Sequence, residues 1–187
     1  LQYHEVKILL TTGLSTQHGT PTQNQLWVNY IYLDTDERRR FAQQSHEYLI
    51  EQVQHQTEST GGNIELNFNH PVKELIFTGE LTAATGPAAL SGTYQLKLNG
   101  HDRFAARDAL YFTRCQVWSH HTGYGGVTIA DSIGVYSFAL KPEEHQPSGT
   151  CNFSRIDTAH LEFSTAPTGT VTVYAVNYNV LRIMSGM

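Results

Sequence analysis

Between Lys141 and Asp157 the chain reads KPEEHQPSGTCNFSRID, which places two glutamates, a histidine, a cysteine, two serines, an arginine and an aspartate in seventeen positions with no helical or strand period. Each group can serve as acid, base, nucleophile or charge clamp, and dense polar connections on rigid scaffolds are where chemistry commonly sits. The spacings fit few specific reactions. A cysteine phosphatase loop sets an arginine six positions after its cysteine, so that guanidinium and backbone N–H groups converge on a phosphate; here position 157 is Asp and the arginine is Arg155. A Cys–His nucleophile would need Cys151 beside His145 or His160, and nothing in the sequence draws them together. A lone cysteine is more often a small buried hydrophobe. The structural reading of the same loop is a clasp joining a strand over VYSFAL to one over HLEFS. Pro142 and Pro147 end the first strand, Gly149 permits a tight turn, and Arg155 is the expected tether, its rigid fork of donors gripping Glu143, Glu144 or Asp157.

The remaining candidates are weaker. Metal-binding sandwiches use His-x-His or His-x-Asp pairs, whereas His120-His121 and His101-Asp102 are adjacent residues that a strand would point to opposite faces. His4-Glu5 and His46-Glu47 lack the second histidine of a zinc protease helix. No metal site and no cofactor is expected. GYGGV, from Gly123 to Val127, has no lysine or helix start to make it a phosphate cradle. Arg38 to Arg40 read as one solvated helix face. Asn152-Phe153-Ser154 is the single N-x-S/T sequon, and Phe153 beside Cys151 points to partial burial, which leaves glycosylation at Asn152 open.

These groups need a scaffold, and composition bounds it. The 187 residues and 21.0 kDa fit one domain spanning 1–187. Apolar residues at 40% and charged residues at 16% describe a globular, weakly charged chain. A formal net charge of -5 without a lysine-rich tract argues against direct nucleic-acid binding, which depends on clustered cations. No apolar run reaches the ~18 residues of a membrane-spanning segment. Cys115 and Cys151 match no zinc or CxxC spacing and are expected reduced and buried. The opening LQYHEVKILL has neither initiator Met nor signal peptide, as expected of a piece of a longer protein.

Period-two alternation is the dominant local signal. In NIELNFNH, Ile64, Leu66 and Phe68 interleave with Glu65, Asn67 and Asn69, which predicts a strand with one buried face. HEVKILLT, LWVNYIYL, EYLIEQVQ, VKELIFTG, TYQLKLNG, VYSFALK, HLEFS and VTVYAVNYNVLRI read the same way less cleanly. Turn clusters separate them. Two segments break the pattern: DTDERRRFAQQ, a helix capped by Asp34 or Thr35, and RFAARDALYFTRCQ, a helix turning Phe104, Ala105, Leu110 and Phe112 toward the sheets. Many short antiparallel strands with little helix favour an all-β, two-sheet jelly roll with short helices in its connections.

Five segments in order, LDTDERRRFAQQSHEYLIEQVQ, LNFNHPVKEL, LNGHDRF, YSFALKPEEHQPSGTCNFSRID and VYAVNYNVLRIMSGM, closely resemble the C-terminal half of the major capsid protein of large icosahedral DNA viruses, the group of phycodnaviruses, iridoviruses and mimivirus-like viruses. The resemblance runs from Tyr3 to Met187. It implies a double jelly-roll protein in which this chain is the second eight-stranded antiparallel roll, the first being absent, and three copies form a pseudo-hexagonal capsomer. It also implies a virion component without enzymatic activity, assembled in the host cytoplasm, whose partners are its own trimer mates, the companion N-terminal roll, neighbouring capsomers and other capsid proteins. ESTGG, TAATGPAALSG and SHHTGYGGVTIADSIG match the family least. The alternative from another class is a lectin-like module in which Trp118 and Tyr124, near His120 and His121, stack on sugar rings.

Overall fold

The computed structural model describes residues 7–9, 27–59, 62–82, 86–123, 131–165 and 169–184. The alternation around Asn67 sets the sandwich's inner surface: Ile64, Leu66 and Phe68 are 2%, 4% and 6% exposed, while Glu65, Asn67 and Asn69 face water. The strands are β1 (His46–Ser59), β2 (Asn63–Glu65), β3 (Pro71–Thr78), β4 (Leu81–Thr82), β5 (Gly86–Pro87), β6 (Thr93–Leu98), β7 (His101–Asp102), β8 (Arg107–Asp108), β9 (Ile133–Ser137), β10 (Cys151–Asn152), β11 (Ala159–Phe163) and β12 (Thr170–Ile183).

One sheet runs β1-β12-β3, with β9 and β10 sharing the far edge of β3; the other runs β2-β11-β6, with β7 and β8 sharing the far edge of β6. β4 and β5 form a separate hairpin. The early strands β1, β2 and β3 fall in alternate sheets, and late strands β11 and β12 sit between early ones, which is the wrap of a jelly roll. Each sheet is four strands wide. The described residues hold twelve strands, a different count from the eight expected, because an edge position filled by two short strands counts twice and the β4–β5 hairpin is additional.

The core forms where the sheets face each other. Val72, Leu75, Phe77, Val171, Val173 and Ala175 come from one sheet and Ile64, Tyr94, Leu96, Leu161 and Phe163 from the other. A π-turn, Tyr111–Cys115, continues as α2 (Gln116–His120) and drives Phe112 between the layers, 1% exposed. Its ring centroid lies 5.7 Å from Phe77 and 6.0 Å from Tyr94, both edge-on, the geometry aromatic quadrupoles favour. The buried Gln116 amide ties this element to β9, donating to the Tyr111 hydroxyl at 2.8 Å and accepting from Ser137 N–H at 3.2 Å.

The chain divides into two compact units, residues 49–180 and residues 1–48 with 181–187. In the smaller unit α1 (Thr35–Gln43) is capped by Asp34, which receives Thr35 N–H at 2.7 Å, while Glu37 completes the capping box. No residue of α1 is buried, as the reading of Arg38 to Arg40 expected.

Several expectations change. Residues 27–33 of LWVNYIYL form no strand; alternation alone makes no ladder without a hydrogen-bonding neighbour. Of HEVKILLT only Lys7, Ile8 and Leu9 are described, also outside strands. The helix expected from Arg103 begins at Ala109, since Arg107–Asp108 pairs with β6. Ala105 and Leu110 are exposed, and Ala109 with Phe112 takes the inward positions. Cys115 is exposed, contrary to expectation, and Cys151 is half-buried; both are free thiols.

Candidate functional site

The connection 141–157 is fastened from within and from several neighbouring segments. Pro142 is fully buried. Lys141 N–H donates to Ser148 Oγ at 2.9 Å, and its ammonium meets Glu144 at 3.0 Å. Gly149 has φ +143°, and a Cβ there would stand 2.8 Å from the Phe138 carbonyl oxygen, so the close return of the loop requires glycine. Phe153 is buried in a short 3₁₀ turn, Phe153–Arg155, and edges onto Phe68 and Phe138. Ser154 Oγ accepts the N–H of His70 at 2.8 Å, and Phe153 N–H returns a bond to the His70 carbonyl at 3.1 Å.

Glu143 is the most engaged side chain of the loop. Its carboxylate accepts the Thr122 N–H at 3.1 Å, the Thr122 hydroxyl at 2.6 Å, and faces His121 Nδ1 at 3.3 Å. The Thr122 bonds hold the Glu143 carboxyl below the usual carboxylate range. On its other side the His121 ring brings Nε2 to 3.0 Å from Glu74 Oε2. Neither of those two buried atoms has a well-aligned hydrogen bond, so the contact is a close approach that becomes a charge pair only when the imidazole is protonated. Burial pushes the Glu74 carboxyl up, against the pull of His121 and Lys73.

A bulge in β3 puts these charges inside. The β3–β12 register shifts between Val176 and Asn177, so that Val72 faces Asn177 while Glu74 faces Val176. Lys73 and Glu74 both become buried, 2% and 6% exposed. Lys73 meets Glu51 at 2.8 Å and lies over the Tyr178 ring at 5.4 Å, and His145 reaches the same Glu51 oxygen at 3.3 Å. The hydrogen bond from Lys73 is the chief cause of the lowered Glu51 carboxyl.

The expected clasp residues are not brought together. Glu143 goes to Thr122 and His121. Asp157 is exposed, and its N–H, like that of Thr158, donates to Asn99 Oδ1, at 2.8 Å and 3.1 Å. Arg155 is exposed, with no hydrogen bond or ion pair to Glu143, Glu144 or Asp157 among the described residues. Asn152 is exposed and its side chain caps the 3₁₀ turn through Ser154 N–H at 3.1 Å. Cys151 lies on β10 and its thiol is pushed up by burial, which lowers its thiolate content. Among the described residues no group of three or more His, Cys, Asp or Glu could hold a metal ion. Trp118 is 80% exposed, whereas Tyr124 lies outside the described residues. Sequence reasoning missed Glu74, Thr122 and Asn99. VKELIFTG carries a charged pair in a β-rich run, and that interruption was the available signal for a bulge.

Among proteins of known kind, a family model described as the large eukaryotic DNA virus major capsid protein matches residues 37–187. The major capsid protein of Pyramimonas orientalis virus is 50% identical, the alignment taking in 100% of this chain and 54% of that protein. That of Paramecium bursaria Chlorella virus 1 is 41% identical over 100% of this chain and 60% of its own length. A solved structure of the PBCV-1 virus capsid superposes with a TM-score of 0.71 at 38% identity, covering 84% of this chain and 54% of the other. The chain thus spans little more than half the length of these relatives. With a sandwich of this topology and a match across most of its residues, the chain belongs to the major capsid protein family of large eukaryotic DNA viruses.

Proposed function

We propose that the chain serves as one jelly roll of an icosahedral viral capsid protein, in which three copies, each with a companion roll, build a pseudo-hexagonal capsomer. The superposition at TM-score 0.71 on a capsid structure carries this reading. The described polar groups agree with it: in the loop richest in reactive side chains Glu143 and Ser154 are held in internal bonds, and the Cys151 thiol is disfavoured as a nucleophile. The role is geometric, a rigid sandwich presenting faces to the companion roll and to neighbouring capsomers, with closed cyclic association of identical surfaces. Its place is the virion, with assembly in the host cytoplasm. Light scattering on the complete protein tests the trimer: a discrete threefold mass is expected, with interfaces burying upwards of ~2,000 Å². Monomer alone at micromolar concentration overturns it.

Exposed Trp118 favours one second reading, a glycan-stacking surface. Binding on a glycan array that disappears in Trp118→Ala, from a protein that stays monomeric, supports this alternative over the capsomer.

A further inference from the structure

His121 ends α2 as its C-cap and lies between two carboxylates, Nε2 at 3.0 Å from Glu74 and Nδ1 at 3.3 Å from Glu143. The three come from separate parts of the fold: β3, the end of α2, and the loop after β9. Glu74 is 8% exposed at its side chain, His121 19% and Glu143 37%, so water screens the inner pair poorly. A neutral imidazole has one N–H and one bare lone pair. With a single proton among the three groups, one of the two N···O contacts sets lone pair against carboxylate oxygen and repels. Two protons make both attractive, either as imidazolium between two carboxylates or as neutral imidazole between a carboxylate and the carboxylic acid of Glu74.

We propose that Glu74, His121 and Glu143 form a proton-loaded latch that fastens the end of α2 and the 141–149 loop to the sheet while its second proton is bound, and loosens both when that proton leaves. The anchored segment is specific, because Glu143 also receives the N–H and hydroxyl of Thr122. The other charged groups around the cluster are already engaged. On β3, Lys73 is held by Glu51 of β1, which also takes His145 of the loop. Lys141 is paired with Glu144, His120 Nδ1 faces the Leu140 carbonyl, and Arg114 of the π-turn grips Asp131. Tyr178 of β12 lies under Lys73. The elevated Glu74 carboxyl agrees with a shared proton.

Hydrogen exchange of the segment around Thr122 in the complete protein, corrected for intrinsic rate, reads the latch directly. Within about pH 5 to 8, where histidine sites change charge, exchange in the wild type should accelerate with rising pH, approaching about tenfold per pH unit for a one-proton linkage. Glu74→Gln supplies an amide N–H to the imidazole lone pair and removes the need for the second proton. Protection should then persist and lose its pH slope. Glu143→Gln, in the exposed loop, should also abolish the slope while lowering baseline protection, and it decides the matter if Glu74→Gln fails to fold. A flat wild-type profile, or a slope that survives Glu143→Gln, overturns the latch.

Discussion

Glu143 and Arg155 sit in the same connection, yet among the described residues only the Glu143 side chain is tied to neighbouring groups. Arg155→Lys should alter the melting temperature little, as befits an exposed side chain within about half a kcal/mol of neutral. Glu143→Ala removes the acceptor of the Thr122 N–H and hydroxyl and should lower the melting temperature clearly. A larger fall for Arg155→Lys would restore the guanidinium as tether. The carboxyls also fix opposite pH dependences. Glu51 and Glu143 are lowered in the fold, so the stability they contribute is present above their ordinary value and is lost as pH falls through the folded one. Glu74 is raised, so its contribution is present in acid and is lost as pH rises through its folded value. Between about pH 5 and 3, where carboxylates ordinarily titrate, Glu143→Gln should therefore fall less steeply in melting temperature than the wild type. An unchanged acid slope would show that the Thr122 bonds are not maintained in solution.

Among the elements, the alternating burial of 63–69 was legible because period two has one reading once the face is buried, although only Asn63–Glu65 of the expected strand pairs as one. Phe68→Ala should cost ~3–5 kcal/mol, and Asn67→Ala far less; equal losses would mean the strand is one residue out of register. The Asp34 cap of α1 was legible for the same reason, since the chemistry is local. The start of the second helix was not, because Arg107 and Asp108 pair with β6, a partner that helix propensity cannot reveal. The β3 bulge was signalled only by the charged pair Lys73-Glu74, and its position depends on where β12 slips. Gly134 shows a constraint no propensity encodes: it lies beneath the Phe77 ring, which any Cβ would overlap. Gly134→Ala should destabilise by roughly 1–3 kcal/mol as an overpacked core site, and a neutral melt would mean that Phe77 swings aside. One more junction is built from side chains. Gln54 donates to the Asn69 carbonyl at 2.7 Å and to Asn177 Oδ1 at 3.0 Å, and accepts Asn69 N–H at 3.1 Å; Gln56 does likewise with the Glu65 carbonyl and Asn67 N–H, at 2.7 Å and 3.0 Å.

At the scale of the whole molecule, the fold was legible through ordered resemblance more than through composition, which reached only the two-sheet class. The strand pairing itself is long-range, and no local signal states that β12 inserts between β1 and β3. Phe77 and Tyr94 come from opposite sheets with ring centroids 5.2 Å apart, in one core. The deepest amides of β3 and β6 should therefore open together in native-state exchange of the complete protein, at one shared free energy. Separate opening energies would mean that the sheets are independent units. The glutamines of β1 bear on the molecule as a mechanical object. β1 and β2 each end their sheet, and the two amides span that seam two residues apart on one strand. A force prising the layers apart there loads both bridges in parallel, so they share the strain and fail nearly together. Among the described residues no backbone ladder joins these two edges to slow the tear once the bridges fail, so the seam behaves as a brittle joint.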